Sequence, residues 1–289
     1  NRTDTVNFKT QEVRRGSIIV TVTATGTLEP TNQVDVGSEL SGIIKTVEAD
    51  YNDSVKAGQV LARLDTSKLG AQVLQSKAAL ESARAKVLEA EATVREKRTE
   101  LARFERVRKL SGNKVPSDQE LDATEAALQR ALAAEASAKA AVSEAQATLN
   151  AIETDLGKTV IYSPINGVVL VRAVEPGQTV AASLQAPVLF TLAEDLTQME
   201  LHVDVDEADV GQVNEGQEAT FTVDAFPDRT FPARITQVRY GSQTVNGVVT
   251  YEAVLNADNS DLSLRPGMTA TAEILVKKVE DAILVPSAA

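Results

Sequence analysis

Apolar positions along the chain follow two different periods, and the switch between them divides it. From residue 67 to 157 they recur in steps of three and four. Val73, Leu80, Val87, Val94 and Leu101 stand seven apart, with Ser76, Ala83, Ala90, Lys97 and Phe104 between them. Leu121, Leu128, Val142, Leu149 and Leu156 keep the same beat, with Ala131, Ala138, Ala145 and Ile152 between. A sustained seven-residue repeat predicts two helices that pair along one seam, as in a coiled coil. Residues 71–111 and 117–156 contain neither Gly nor Pro, so nothing breaks either helix. Lys97 and Glu135 interrupt the seam, and each predicts partial exposure or a local register shift.

The connection Leu110-Ser-Gly-Asn-Lys-Val-Pro-Ser117 holds a helix stop at Gly112 and a capping box of Ser117 with Glu120. So short a link forces the arms antiparallel. An arm of roughly 40 residues spans about 60 Å at 1.5 Å per residue, and a Val/Leu-with-Ala seam satisfies one partner only. The hairpin is therefore expected to project as a rod. An ordinary bundle is the plainer reading of any one arm, but two matched arms around one turn, with β sequence on both sides, argue against it.

Outside the hairpin the period falls to two. Ser17–Thr25, Met199–Val205, Ala219–Val223, Ala233–Val238, Val248–Leu255 and Thr269–Val276 alternate or are rich in β-branched residues, separated by Gly, Pro, Asn and Asp. Short strands at this spacing predict small barrels or sandwiches. Two further β regions echo each other across the hairpin. Ser41-Gly-Ile-Ile-Lys-Thr-Val47, Val55-Lys-Ala-Gly-Gln-Val-Leu61 and Leu64-Asp65 precede it, while Asn166-Gly-Val-Val-Leu-Val171, Val174-Glu-Pro-Gly-Gln-Thr-Val180 and Leu189-Phe-Thr-Leu192 follow. Each half is too small to bury its own face, so the two are expected to pack as one flattened sandwich.

Composition narrows the chemistry. The 289 residues include no Cys and one His, which excludes thiolate metal sites, disulfides and Cys nucleophiles, and argues against His-based catalysis. Net charge is −12, against nucleic-acid binding. That charge lies outside the hairpin, where 14 basic and 14 acidic residues balance between Thr66 and Gly157. Asp204-Val-Asp-Glu-Ala-Asp209 could suggest a hard cation, but Leu201, Val203 and Val205 alternate as a strand and Glu207 and Asp209 open a helical turn, so these acids read as solvated. His202 falls on the polar side of that strand, as a surface or interface residue. There is no Walker A sequence and no G-x-S-x-G elbow, and no apolar run approaches the ~18 residues of a membrane span.

The half-motif pair resembles the lipoyl/biotinyl carrier domain, and its interruption by a hairpin resembles the periplasmic adaptor, or membrane fusion protein, family of tripartite efflux systems. The likeness covers essentially the whole chain. It is densest in Ala24-Thr-Gly-Thr-Leu-Glu-Pro30, Val34-Asp-Val-Gly-Ser-Glu-Leu-Ser-Gly42, Val55–Leu61, Gly177-Gln-Thr-Val180 and Gln185-Ala-Pro187, which look most like the MacA branch. The fold this implies is α+β, elongated and multi-domain: an antiparallel coiled-coil hairpin inserted in a lipoyl-like β-sandwich, followed by a β-barrel and a membrane-proximal β domain. Expected boundaries are 1–16 membrane-proximal, 17–31 first barrel strand, 32–66 and 158–193 the lipoyl-like halves, 67–157 the hairpin, 194–275 the barrel and 276–289 membrane-proximal again, truncated at both ends.

The resemblance also implies partners. They are an inner-membrane ABC transporter (MacB-like), a TolC-like outer-membrane channel and further copies of the chain in a hexamer, with no enzyme activity and no cofactor. The location implied is the periplasm of a Gram-negative cell, with membrane association through segments absent from this sequence. At the hairpin tip the family's channel-docking residues match Arg106, Leu110 and Ser117. The plainer reading gives a solvated charge, a seam-closing Leu and a cap. A gate loop aligns with Leu184 and Gln185, where Leu replaces the family's Gln. Three rivals remain: an adaptor of a proton-driven pump; a structural coiled-coil protein, which predicts association independent of the tip; and a lipoyl- or biotinyl-type carrier, for which Lys68 is the nearest lysine although it reads as an exposed helix-start residue.

Overall fold

The computed structural model describes residues 14–182, 186–245 and 247–284. The chain forms β1 (Arg14–Pro30), β2 (Gln33–Gly37), β3 (Gly42–Val47), β4 (Ser54–Val55) and β5 (Val60–Leu64) before running along α1 (Ser67–Leu110) and back along α2 (Asp118–Lys158). β6 (Val160–Tyr162), β7 (Gly167–Arg172), β8 (Thr179–Val180) and β9 (Val188–Ala193) follow. The last stretch holds β10 (Gln198–Asp206), the helical turn α3 (Glu207–Val210), β11 (Glu218–Val223), β12 (Phe226–Val245), β13 (Val248–Asp258) and β14 (Thr269–Leu284). Two compact units result, one comprising the residues up to Val34, Ile165–Leu170 and Thr191 onward, the other Asp35–Pro164 and Val171–Phe190.

The first unit contains a closed antiparallel barrel of order β1-β10-β13-β12-β11-β14. Closure removes the unpaired edges that would recruit other strands. Alternation sets its core: Met199, Leu201, Val203 and Val205 point inward from β10, Phe221 and Val223 from β11, and Ala272 and Ile274 from β14. Phe221 stacks on Phe231 with ring centroids 5.2 Å apart. Gly26 of β1 sits where a Cβ would lie 1.8 Å from the carbonyl oxygen of His202, so backbones approach here as only glycine allows.

All six expected strands lie inside these elements, but several run longer. β1 and β14 stay paired from Thr27↔Thr269 to Arg14↔Leu284, with irregularities between Gly16 and Ile18 and between Val20 and Thr21. The boundaries expected at 16/17 and 275/276 therefore fall within continuous strands. Lys277, Lys278, Glu280 and Asp281 lie beyond the strand end expected at Val276, yet an antiparallel strand with a wetted face accepts charge. Residues 1–13 and 285–289, the remainder of the expected membrane-proximal part, lie outside the described residues.

Two four-stranded sheets, β2-β9-β7-β4 and β6-β5-β3-β8, are formed by the two halves of the internal repeat. Each half lends two short strands to the other, β2 and β4 from the first and β6 and β8 from the second. β4, from the first half, completes the sheet of β7 and β9, and β8, from the second, completes that of β3 and β5. Gly42↔Val180 and Ile43↔Thr179 pair across the second exchange, and Gly58 N–H donates to the Ser163 carbonyl at 2.8 Å. Neither half can form a complete sheet alone, which is the physical content of the sequence echo.

The repeated V-x-x-G-Q segments fold as identical turns. Gly58, Gly177 and Gly216 have φ of 81°, 87° and 84°, a region that favours glycine. In each, the following Gln folds its side-chain oxygen back onto a backbone N–H: Lys56 N–H donates to Gln59 at 3.0 Å, Glu175 N–H to Gln178 at 2.9 Å and Asn214 N–H to Gln217 at 3.0 Å. A fourth copy went unread in the sequence because Met replaces Gln. Gly267 has φ 84°, and Arg265 N–H points at the Met268 sulfur 3.4 Å away.

Candidate functional site: the hairpin tip

The hairpin is built on the predicted seam. α1 and α2 pack antiparallel, as ion pairs Lys77–Glu153 (3.2 Å), Lys139–Glu91 (3.5 Å) and Arg108–Asp118 show by running in opposite chain directions. Val73, Leu80, Val94, Ala131 and Leu149 are buried between the arms, and Thr124 joins them, its hydroxyl donating to the Glu120 carbonyl at 2.8 Å. The two interruptions are accommodated without a break in either helix. Lys97 bonds Glu100 at 3.0 Å and Glu96 at 3.3 Å, and these carboxylates, Glu100 first, hold its ammonium group above the usual lysine range. Glu135 is held by Lys139 one turn on.

At the apex the seam departs from one plain expectation. Steps of three and four from Leu101 lead to Phe104, Arg108 and Ser111, all half-buried, so Leu110 does not close it. Leu110 is 83% exposed, next to Val107 at 41% and Val115 at 56%. Arg106, four residues before Leu110 on the same helix face, is also exposed and forms no ion pair among the described residues.

Local chemistry fixes the loop that presents these side chains. Gly112 and Asn113 take φ of 65° and 67°, reversing the chain. The Ser111 hydroxyl lies 3.1 Å from the Arg108 carbonyl and 2.7 Å from that of Val115, and accepts the Val115 N–H at 3.2 Å. Ser117 then caps α2: its N–H and hydroxyl donate to Glu120 at 2.9 and 2.8 Å, and its oxygen accepts the Glu120 N–H at 3.4 Å. The capping reading of Ser117 is thus observed. Ser111, Val107 and Val115 were missed from the sequence; the Val pair carried a signal, since neither falls on the seam.

The backbone N–H of Ser117, then its hydroxyl, hold the Glu120 carboxyl below its ordinary value of 4.5. A depressed folded value means that the cap is intact above about 4.5 and is lost as pH falls through the lower folded value. Amide exchange at residues 118–121 is accordingly expected to accelerate relative to the hairpin middle as pH falls below 4.5, once corrected for intrinsic rates. A Glu120→Gln variant should lose most of that excess pH dependence; an unchanged profile would exclude Glu120 as its source.

The same architecture occurs in known proteins. Residues 32–192 match the domain family described as "RND MFP, barrel-sandwich hybrid domain", and residues 201–278 match "CusB-like, beta-barrel domain". The macrolide export protein MacA of Yersinia pestis is 32% identical over 284 residues, 98% of this chain and 76% of that protein. The pyoverdine export membrane fusion protein PvdR of Pseudomonas aeruginosa is 30% identical over 98% of this chain and 77% of its own length. The crystal structure of MacA from Actinobacillus actinomycetemcomitans superimposes with a TM-score of 0.84 at 32% identity, covering 96% of this chain and 85% of that one.

The chain is a membrane fusion protein of the MacA branch.

In this membrane fusion protein the remaining sequence candidates resolve unevenly. Leu184 and Gln185, the expected gate residues, lie outside the described residues. Lys68 is exposed in the first turn of α1, and the helices occupy the place between the halves where a carrier domain would present its lysine. Asp206 ends β10 and accepts the Ala208 N–H at 3.0 Å, so the acidic run is a strand followed by a capped turn, as expected. Among the described residues no acid or histidine cluster forms a metal site, and no helix is long and apolar enough to cross a membrane.

His202 stands on the polar side of β10, yet its side chain is only 15% exposed. Glu252 bonds its Nδ1, and Glu200 lies 3.4 Å from its Nε2. Arg239 bonds the other oxygen of Glu252 at 2.8 Å. The imidazole is thus enclosed in a network tying three barrel strands, a structural role for the lone histidine.

Proposed function

We propose that this protein is a periplasmic adaptor of a tripartite exporter, bridging an inner-membrane ABC transporter of the MacB type to a TolC-like outer-membrane channel. Copies of the chain, six by family resemblance, would enclose a conduit and stimulate the transporter's ATP hydrolysis without chemistry of their own. The observation that carries this reading is the hairpin tip: two paired helices of 44 and 41 residues end in a rigidly capped loop that leaves Leu110 to solvent. Burial within this chain gives that leucine no role, whereas contact with a second protein would remove its apolar surface from water.

Arg106, Leu110 and Ser117 are the docking residues in this proposal. One matched domain description names RND membrane fusion proteins, but the relatives matched over nearly the whole chain include macrolide export proteins, which favours the ABC partner. Neither relative's name fixes the cargo, since one is a macrolide exporter and the other exports pyoverdine.

Reconstitution of the full-length protein with the candidate ABC transporter in lipid vesicles tests this assignment. ATP turnover is expected to rise several-fold over transporter alone, and cells lacking the adaptor should become sensitive to the exported compound. Unstimulated turnover together with undiminished resistance would remove the ABC assignment.

A further inference from the structure

We propose that the docking face extends beyond Arg106, Leu110 and Ser117 to an apolar apex of Val107, Leu110 and Val115 within a collar of unpaired cations, shaped for an apolar recess rimmed by carboxylates on the channel. This rests on the function proposed above and specifies the chemistry of the partner surface.

Three features support it. Val107 and Leu110 are three residues apart on α1 and therefore adjacent on its surface, while the Ser111 hydroxyl anchors the backbone of Val115 across the turn. All three apolar side chains are exposed. An apolar cluster at a rigid apex is organised for contact before any partner arrives, which lowers the ordering cost of binding.

The charge around it reverses that of the chain. Residues 101–118 contain five basic and two acidic residues, a net +3 in a protein of −12. Arg108 is paired with Asp118, but Arg103, Arg106, Lys109 and Lys114 have no ion-pair partner among the described residues. The last turn of a helix favours cations through its dipole, which accounts for Arg108 and Lys109. It does not account for Arg106 further up α1, nor for Lys114 beyond its end, while Arg103 lies over the Phe104 ring at 5.8 Å. A positive end on an acidic molecule steers that end toward an acidic target and turns the rest of the molecule away. Carboxylates on the receiving surface are the complementary chemistry, and the apolar apex supplies the short-range contact.

The experiment measures binding of full-length adaptor to its purified outer-membrane channel between 50 and 500 mM NaCl, alongside vesicles of phosphatidylglycerol. Wild type is expected to bind the channel with affinity falling at least tenfold across that range. A Lys109→Glu/Lys114→Glu variant should bind at least tenfold more weakly at low salt and lose most of the salt slope. Val115→Asp should weaken binding at all salt concentrations with an unchanged melting curve; Val115→Ala, with a smaller loss, separates apolar contact from introduced charge. Salt-indifferent binding, or charge-reversed and Val115 variants that match wild type, would overturn this proposal while leaving the adaptor function intact. Binding to the anionic vesicles but not to the channel would overturn it in favour of a lipid surface. No channel binding by wild type at any salt would overturn both readings.

Discussion

Replacing Leu110 with Asp is expected to abolish coupling to the outer-membrane channel while leaving the fold intact. The side chain is 83% exposed and outside the α1–α2 seam, so the variant disturbs no internal packing and its melting temperature should stay within about 2 °C of wild type, the shift expected of a surface substitution below ~0.5 kcal/mol. At a docked interface the same change buries a carboxylate against apolar surface. Loss of a central apolar anchor typically costs 2 kcal/mol or more, and an unpaired charge adds to that, so affinity should fall by roughly thirtyfold or more. Channel crosslinking from the tip and resistance to the exported compound should drop toward the levels of cells without the adaptor. Wild-type resistance and crosslinking in this variant would remove Leu110 from the docking face.

Gly26→Ala should have the opposite profile, a failure of the fold with no defect at the tip itself. The added Cβ would stand 1.8 Å from the His202 carbonyl oxygen and 2.6 Å from the Val203 Cα. Both obstacles are backbone, so no rotamer change relieves them, and β1 must separate from β10. Overpacking usually costs 1–3 kcal/mol where side chains can adjust; here at least about 3 kcal/mol is expected. Gly42→Ala is the matched control, because its Cβ would meet only the Leu64 side chain at 3.6 Å, an ordinary contact. Thermal unfolding followed by near-ultraviolet circular dichroism should separate the two variants, and equal stability would show that the barrel can open at Gly26 without penalty.

The two glycines also show where sequence reasoning stops. Gly26 and Gly42 look alike in a linear sequence; the close approach of β1 to its antiparallel neighbour β10 at Gly26 distinguishes them. Helical periodicity was legible because heptad spacing is a local property, and it placed Val73, Leu80, Val94 and Leu149 on the buried seam. The turn glycines were legible too, since Gly followed by Gln recurs with one backbone solution. The Met268 copy escaped because a thioether substitutes for an amide oxygen at the same place, a chemical equivalence that residue spelling hides.

The tip was half legible. Arg106, Leu110 and Ser117 came as a set only from the family resemblance, whereas the cap of Ser117 was legible in its Glu120 partner. That Leu110 faces solvent required knowing which side of α1 meets α2 near its end, where Arg108 rather than an apolar residue occupies the seam. Ser111 gave no sequence signal of its anchoring role, because a hydroxyl that bridges two carbonyls depends on the left-handed turn at Gly112 and Asn113. The long ribbon of β1 and β14 was cut short in the same way: partners more than 250 residues apart leave no local trace of where their pairing ends.

β5 and β6 are adjacent antiparallel strands, with Val60↔Tyr162, Ala62↔Ile161 and Arg63↔Val160 in register, and the helices depart from one and return to the other. The insertion therefore leaves and re-enters the β structure at two neighbouring strand ends. Adding or deleting one heptad in each arm would move the apex by about 10 Å and preserve both the seam and the strand register. Such a scaffold can be fitted to gaps of different width in whole-repeat increments, like a telescoping strut whose mounting bracket never changes.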